Sequence, residues 1–189
     1  YNTLSYHLRK LGLMRPNTEY QRIHKINNDF FEKIDTKEKA YILGFLFADG
    51  YNDIRFNKVV IQLHPKDKYI LEFIKNSLEF TGPIKDATRP RNGKDYYISQ
   101  LAMNSNKMCS DLLKLGMTQT KSLTLEFPNK NQVPRSLFWH FIRGYFDGDG
   151  TLNKFQSFMC VSSFFGYTLL DILKNEYNIF TTMYQPPKN

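Results

Sequence analysis

Two Asp-Gly pairs, Asp49-Gly50 and Asp149-Gly150, close two eleven-residue stretches that align without a gap one hundred residues apart. The first is AYILGFLFADG (40–50) and the second HFIRGYFDGDG (140–150), with Ile42 over Ile142 and Gly44 over Gly144. Such a register is the mark of an internal duplication. A carboxylate at the last residue of a helix sits at the negative end of the helix dipole, where a cation is preferred. Two such carboxylates brought together repel each other as well, and a divalent cation held by hard oxygen ligands relieves both penalties. A single Asp-Gly is ordinary helix punctuation; two, matched in register, point to a shared purpose.

The elements that must deliver this pair are two helices. Thr36 and acidic Glu38 suit the start of the first, and Pro134 and Ser136 open the second. Gly50 and Gly150 suit the left-handed position after a helix. Gly44 and Ala48 lie four apart on one face, as do Gly144 and Gly148. Small residues at that spacing let backbones approach closely, so the helices are expected to pack along this seam, in parallel.

With these residues in view, ILGFLFADG (42–50) and IRGYFDGDG (142–150) resemble the LAGLIDADG motif of homing endonucleases. The flanks KIDTKEKAY (33–41), TKSLTLEFP (120–128) and VPRSLFWHFIRG (133–144) resemble that family too. The resemblance implies an α+β fold of two αββαββα units about a pseudo-twofold axis, with saddle-shaped antiparallel sheets straddling double-stranded DNA. It implies that Asp49 and Asp149, with the main-chain carbonyls of Ala48 and Gly148, hold Mg²⁺ (or Mn²⁺) for cleavage of both strands. Asp147 would stand just behind the metal. A basic or polar auxiliary group belongs near the scissile phosphate, and Lys121, His64 and Gln62 are the candidates.

Composition agrees with a polyanionic partner: the 189 residues carry a formal charge of +8, and the pI is near 9.4. Sixteen Phe and twelve Tyr argue for folded cores over disorder. The two cysteines, Cys109 and Cys160, have no metal-type spacing and read as buried thiols in a reducing compartment, cytoplasm or organelle matrix. No apolar run approaches the length of a membrane span and no signal peptide is seen, so secretion and membrane insertion are not expected.

Along the chain, residues 1–28 form a basic extension. A helix over 5–11, with His7, Arg9 and Lys10 turned from its leucines, resembles the recognition helix of a helix-turn-helix. It equally suits an amphipathic helix packed on the main body. Absence of an initiator Met suggests a fragment or a processed chain. Residues 29–128 make the first unit. Alternation after Gly50 predicts a hairpin with Ile54, Phe56, Val59, Ile61 and Leu63 inward, and Arg55, Val60, Gln62 and His64 outward. A helix over 65–80 faces the core with Ile70, Phe73, Ile74 and Leu78. A second hairpin over 83–103 turns at Asn92-Gly93. Lys85, Arg89, Arg91 and Lys94 on it, with Lys58, Arg55 and Gln100, make a basic ribbon suited to a DNA groove. Asn104 caps a helix ending at Gly116, and a polar extended connection leads to the second unit, 129–189. There LDILKN (170–175) repeats LEFIKN (71–76), but the chain stops before a second hairpin, so this unit is expected to be incomplete.

Three readings follow. The leading one is a sequence-specific, metal-dependent DNA endonuclease acting as a pseudo-symmetric monomer. The alternative is a non-catalytic nucleic-acid-binding protein of the same fold, an RNA splicing helper or a transcription regulator. Self-splicing as an intein is not expected from a chain that starts without Cys or Ser and ends Lys188-Asn189.

Overall fold

The computed structural model describes residues 11, 24–91, 93–119, 121–152, 156–158 and 162–184. The expected helix over 5–11 with His7, Arg9 and Lys10, and Cys160, therefore lie outside the described residues, apart from Leu11. The chain is mixed α+β. Helix α1 (Lys37–Asp49) leads into strands β1 (Gly50–Asp53) and β2 (Lys58–Leu63), then helix α2 (Lys68–Ser77). Strands β3 (Lys85–Arg91) and β4 (Lys94–Asn104) follow, then α3 (Asn106–Lys114) and a single turn, α4 (Lys121–Thr124). After them come α5 (Phe138–Asp149), the short strands β5 (Gly150–Leu152) and β6 (Gln156–Phe158), and α6 (Ser163–Tyr177).

Thr36 caps α1, its hydroxyl accepting from the Lys39 amide at 3.2 Å. That helix is apolar nearly all round, Ile42 to Ala48 being buried, as expected of a central core helix. The first four strands make an antiparallel sheet in the order β1-β2-β4-β3. Val59, Ile61, Leu101 and Met103 project from its inner face onto Ile70, Leu71 and Ile74 of α2 and Met108, Cys109 and Leu112 of α3, all buried. With one face covered and the other in water, β2 alternates as an antiparallel strand should. Cys109 is buried, and desolvation pushes its thiol up to about 11.

A second part of the same core is aromatic. Tyr145 of α5 stacks on Phe165 of α6 at 4.7 Å between centroids, Phe127 lies 5.1 Å from Phe165, and Phe47 of α1 meets Phe141 edge-on at 5.3 Å. After α5 the elements repeat the order seen after α1, two antiparallel strands and a helix.

Several expectations are corrected. Ile54 to Phe56 form a 3₁₀ turn between β1 and β2, and Phe56 is exposed, because the connection is too tight to continue the strand. On α2, Leu71 takes the core position expected of Phe73, whose ring packs edge-on to Tyr41 at the surface. Ser136 does not cap α5: residues 135–137 form a 3₁₀ turn after Pro134, and the helix starts without a side-chain cap. Gly50 and Gly150 are extended (φ −79° and −86°), not left-handed. They are glycines for space: an added Cβ would stand 2.6 Å from the Leu46 oxygen and 2.2 Å from that of Phe146. Among the described glycines, those with positive φ are Gly93, in the β3–β4 turn, and Gly116, after α3.

The cap of α3 is Ser105, one residue past Asn104, which ends β4. Its Oγ accepts from the Met108 amide at 3.1 Å and donates to Asn28 Oδ1 at 2.6 Å, in a buried position. Ser105→Ala removes both bonds and is expected to cost about 1–2 kcal/mol. A fall of a few degrees in Tm by calorimetry checks it.

Candidate active site

Gly44 and Gly144 set how near α1 and α5 come. A Cβ on Gly44 would stand 2.0 Å from the main-chain oxygen of Phe141, and one on Gly144 would stand 1.9 Å from that of Tyr41. The contacts are reciprocal: residue 44 meets 141 and 145, and residue 144 meets 41 and 45. One turn on, a Cβ on Gly148 would lie 2.4 Å from that of Ala48. The helices therefore run side by side in one direction and end level. The same absent Cβ of Gly148 would be 3.4 Å from Asp49 Oδ2, so the Asp49 carboxylate leans over the end of α5, beside Asp149.

Lys121 completes this cluster. Its ammonium donates to the carbonyls of Leu46 at 3.2 Å and Phe47 at 3.0 Å, and to that of Ala48. The last carbonyls of a helix lack full intrahelical partners and favour a cation, which is what the single turn α4 supplies. Burial at the paired helix ends raises the Asp49 carboxyl to about 6, with repulsion from Asp149 adding and Lys121 opposing. Asp149 is raised by the same burial, again opposed by Lys121. Desolvation lowers the Lys121 ammonium to about 8 despite both carboxylates. Two carboxylates against one ammonium leave the site one charge negative.

The residues present fit a divalent cation. Mg²⁺ is commonly held by one or two carboxylates, keeping several waters and taking substrate phosphate oxygens. Asp49 and Asp149 are the paired carboxylates here, both raised chiefly by burial, a cost that a bound cation would offset. Of the two expected carbonyls, that of Ala48 already accepts from Lys121, which leaves Gly148 as the other candidate. No group of three or more His, Cys, Asp or Glu gathers among the described residues, so further ligands would be solvent or phosphate.

The Asp49 carboxyl, at about 6 in the folded chain, stands above the ordinary 3.8. The folded chain binds that proton more tightly than the unfolded one, so this group's contribution to stability falls as pH rises through that window and stays unfavourable above it. Metal-free Asp49→Asn is thus expected to melt a few degrees above the wild type at pH 8. The gap should close as pH falls from about 6 to about 4. Thermal melts across pH check it.

Asp49 also borders a groove along the open face of the sheet, lined further by Tyr51, Lys58, Gln62, Arg89 and Gln100. Strand register explains the grouping: Gln62 pairs with Gln100, Lys85 with Gln100, Arg89 with Tyr96 and Arg91 with Lys94. Lys58, Lys85, Arg89 and Lys94 thus share the solvent face, opposite the buried row of Ser99, Leu101 and Met103. Arg55 is exposed in the turn at its rim, 3.5 Å from Asp53.

Two expected site residues lie elsewhere. His64 is not in the groove; beyond the end of β2 its Nδ1 accepts from the Lys66 amide at 3.2 Å and caps a 3₁₀ turn. Asp147 does not back the carboxylate pair but accepts from the Tyr41 hydroxyl at 2.8 Å, with Arg143 at 3.8 Å. Reading by sequence passed over Tyr51 and Asp53, which the pairing of Tyr51 with Val60 and Asp53 with Lys58 places on the groove face. Their alternation after Gly50 carried that signal. Among the described residues no helix is long and apolar enough to cross a membrane. No protein-family model matches the chain, and no curated protein matches it.

Proposed function

We propose that this chain is a sequence-specific, divalent-metal-dependent DNA endonuclease of the LAGLIDADG kind, built from αββαββα units about a pseudo-twofold axis. The observation that carries the reading is the reciprocal glycine seam, which delivers Asp49 and Asp149 to one place at the ends of two parallel helices. The basic face beside that place supports it: Lys58 and Arg89 share its groove with Asp49.

In this reading the basic strands attract the phosphate backbone and orient the duplex, while groove side chains meet base edges. Asp49 and Asp149, with the Gly148 carbonyl, would hold Mg²⁺ or Mn²⁺. The metal, when bound, supplies Lewis-acid activation of water and stabilisation of the leaving oxygen. Lys121, whose ammonium is held by the Leu46, Phe47 and Ala48 carbonyls at the end of α1, supplies the positive charge beside the two carboxylates. Lys121→Met is expected to slow cleavage about a hundredfold while duplex affinity changes little; single-turnover rates and binding titrations separate the two.

The test is incubation of the chain with a library of randomised duplexes and Mg²⁺, sequencing the cut ends. Cutting at a defined long site supports the reading. Tight binding without nicking in Mg²⁺ or Mn²⁺ contradicts it and favours a non-catalytic nucleic-acid-binding protein.

A further inference from the structure

We propose that Gln119 is a positioning residue: from the outer face of β1 it fixes the segment that carries Lys121, and so sets where that ammonium stands beside Asp49 and Asp149. This rests on the nuclease reading above and adds how its lysine is held. β1 is an edge strand, in the order β1-β2-β4-β3, and it starts at Gly50, directly after Asp49. Successive residues of a strand point to opposite faces, and here Tyr51 is exposed while Asn52 is fully buried. Each of the two fastens the chain that follows α3.

On the inner face, Asn52 Nδ2 donates to the Met117 carbonyl at 3.1 Å and to that of Cys109 at 3.0 Å. On the outer face, the Gln119 amide meets the Tyr51 hydroxyl and two nitrogens of the Arg55 guanidinium, each at 3.1 Å. Guanidinium nitrogens only donate, so it is the Gln119 carbonyl oxygen that faces Arg55, and the Tyr51 hydroxyl donates to the same oxygen. Arg55 is steadied in turn by Asp53 at 3.5 Å. Between Met117 and Gln119 the chain therefore passes from one side of β1 to the other.

Beyond that point the segment closes on itself. The Thr118 and Thr124 hydroxyls bond at 2.7 Å, and the Leu125 amide donates to the Lys121 carbonyl at 2.9 Å. Met117 and Leu125 are buried at its two ends. Asn52 and these two apolar side chains serve the core as a whole. Gln119 is only half-buried and lies two residues from Lys121, so its bonds bear on the lysine first. The ammonium must reach the Leu46, Phe47 and Ala48 carbonyls at the end of a flexible stem. Fixing the backbone beside it lessens the freedom that this reach costs.

The experiment compares the full wild-type chain with Gln119→Leu, Gln119→Glu, Lys121→Met and the combination of Gln119→Leu with Lys121→Met. Gln119→Leu removes the acceptor and is expected to slow single-turnover cleavage about tenfold, since small displacements of a site group are costly in rate. Gln119→Glu keeps an oxygen toward Tyr51 and Arg55 and should recover most of that loss. Because Gln119 acts through Lys121, adding Gln119→Leu to Lys121→Met should cost no further rate. A second arm needs neither metal nor DNA: hydrogen exchange of the Leu125 amide should quicken about tenfold in Gln119→Leu, while the β2 amides exchange as in the wild type. Losses that multiply in the combined variant, or Leu125 exchange at the wild-type rate, overturn the positioning role and leave the nuclease reading standing. If the wild type cuts no duplex, that reading fails, and the Leu125 exchange alone decides whether Gln119 holds the segment.

Discussion

Asp49→Asn and Asp149→Asn are each expected to lower Mg²⁺-dependent DNA cleavage by about a thousandfold or more, corresponding to several kcal/mol of lost transition-state stabilisation. Asn keeps the shape of the side chain and removes its charge. The site, one charge negative with Lys121 present, becomes neutral and loses a ligand that a hard cation needs. Duplex affinity should hold or rise, because a negative charge facing phosphate is removed. That split between rate and binding separates a site residue from a merely structural one. The double substitution should lose little beyond either single one, since groups that act as a unit are not additive. Single-turnover rates on a selected duplex check all three variants.

The second large effect concerns the seam. Gly44→Ala or Gly144→Ala replaces a poor helix former with the best one, which by itself would add about 1 kcal/mol of stability. The new Cβ, however, would stand 2.0 or 1.9 Å from a carbonyl oxygen of the facing helix. Neither partner is a flexible side-chain end, so only separation of α1 from α5 relieves the clash. Overpacking a core costs roughly 1–3 kcal/mol and occasionally more, and a contact against backbone lies at the upper end. A net loss of about 2 kcal/mol or more is therefore expected, read as a lower denaturant midpoint with unchanged m-value. Cleavage should fall further than stability, because the carboxylates part with the helices. Ala at Gly93, where nothing lies within 4 Å of the added Cβ, meets backbone strain at φ +73° but no clash and should leave cleavage unchanged.

Much of this was legible in the residues. The run from Ile42 to Ala48 is apolar on every side and could only be a core helix, and the Gly44 and Gly144 spacing required a close partner. Period-two alternation placed Val59 and Ile61 inward and Gln62 outward, and register then carried Lys85, Arg89 and Gln100 to one face. What failed was local and steric. Phe56 fell in a tight turn and Phe73 at the edge of its stripe, where periodicity separates neighbours by a single residue. Gly50 is glycine for want of space and not for a positive φ, a distinction that only the surrounding atoms make. His64 continued the outward alternation, yet the strand stops at Leu63, so its ring turns back to cap the next turn. Lys121, far from both motifs in sequence, was already a candidate for the auxiliary group, and the path of the chain brings its ammonium to the end of α1.

The most direct measurement is a Mn²⁺ titration of the duplex-bound protein, followed by electron paramagnetic resonance of free Mn²⁺. Saturable binding by the wild type, reduced in Asp49→Asn and Asp149→Asn and abolished when both are changed, is the predicted result. Binding of Mn²⁺ by the doubly substituted chain at wild-type affinity and stoichiometry would contradict the claim that these two carboxylates serve one cation.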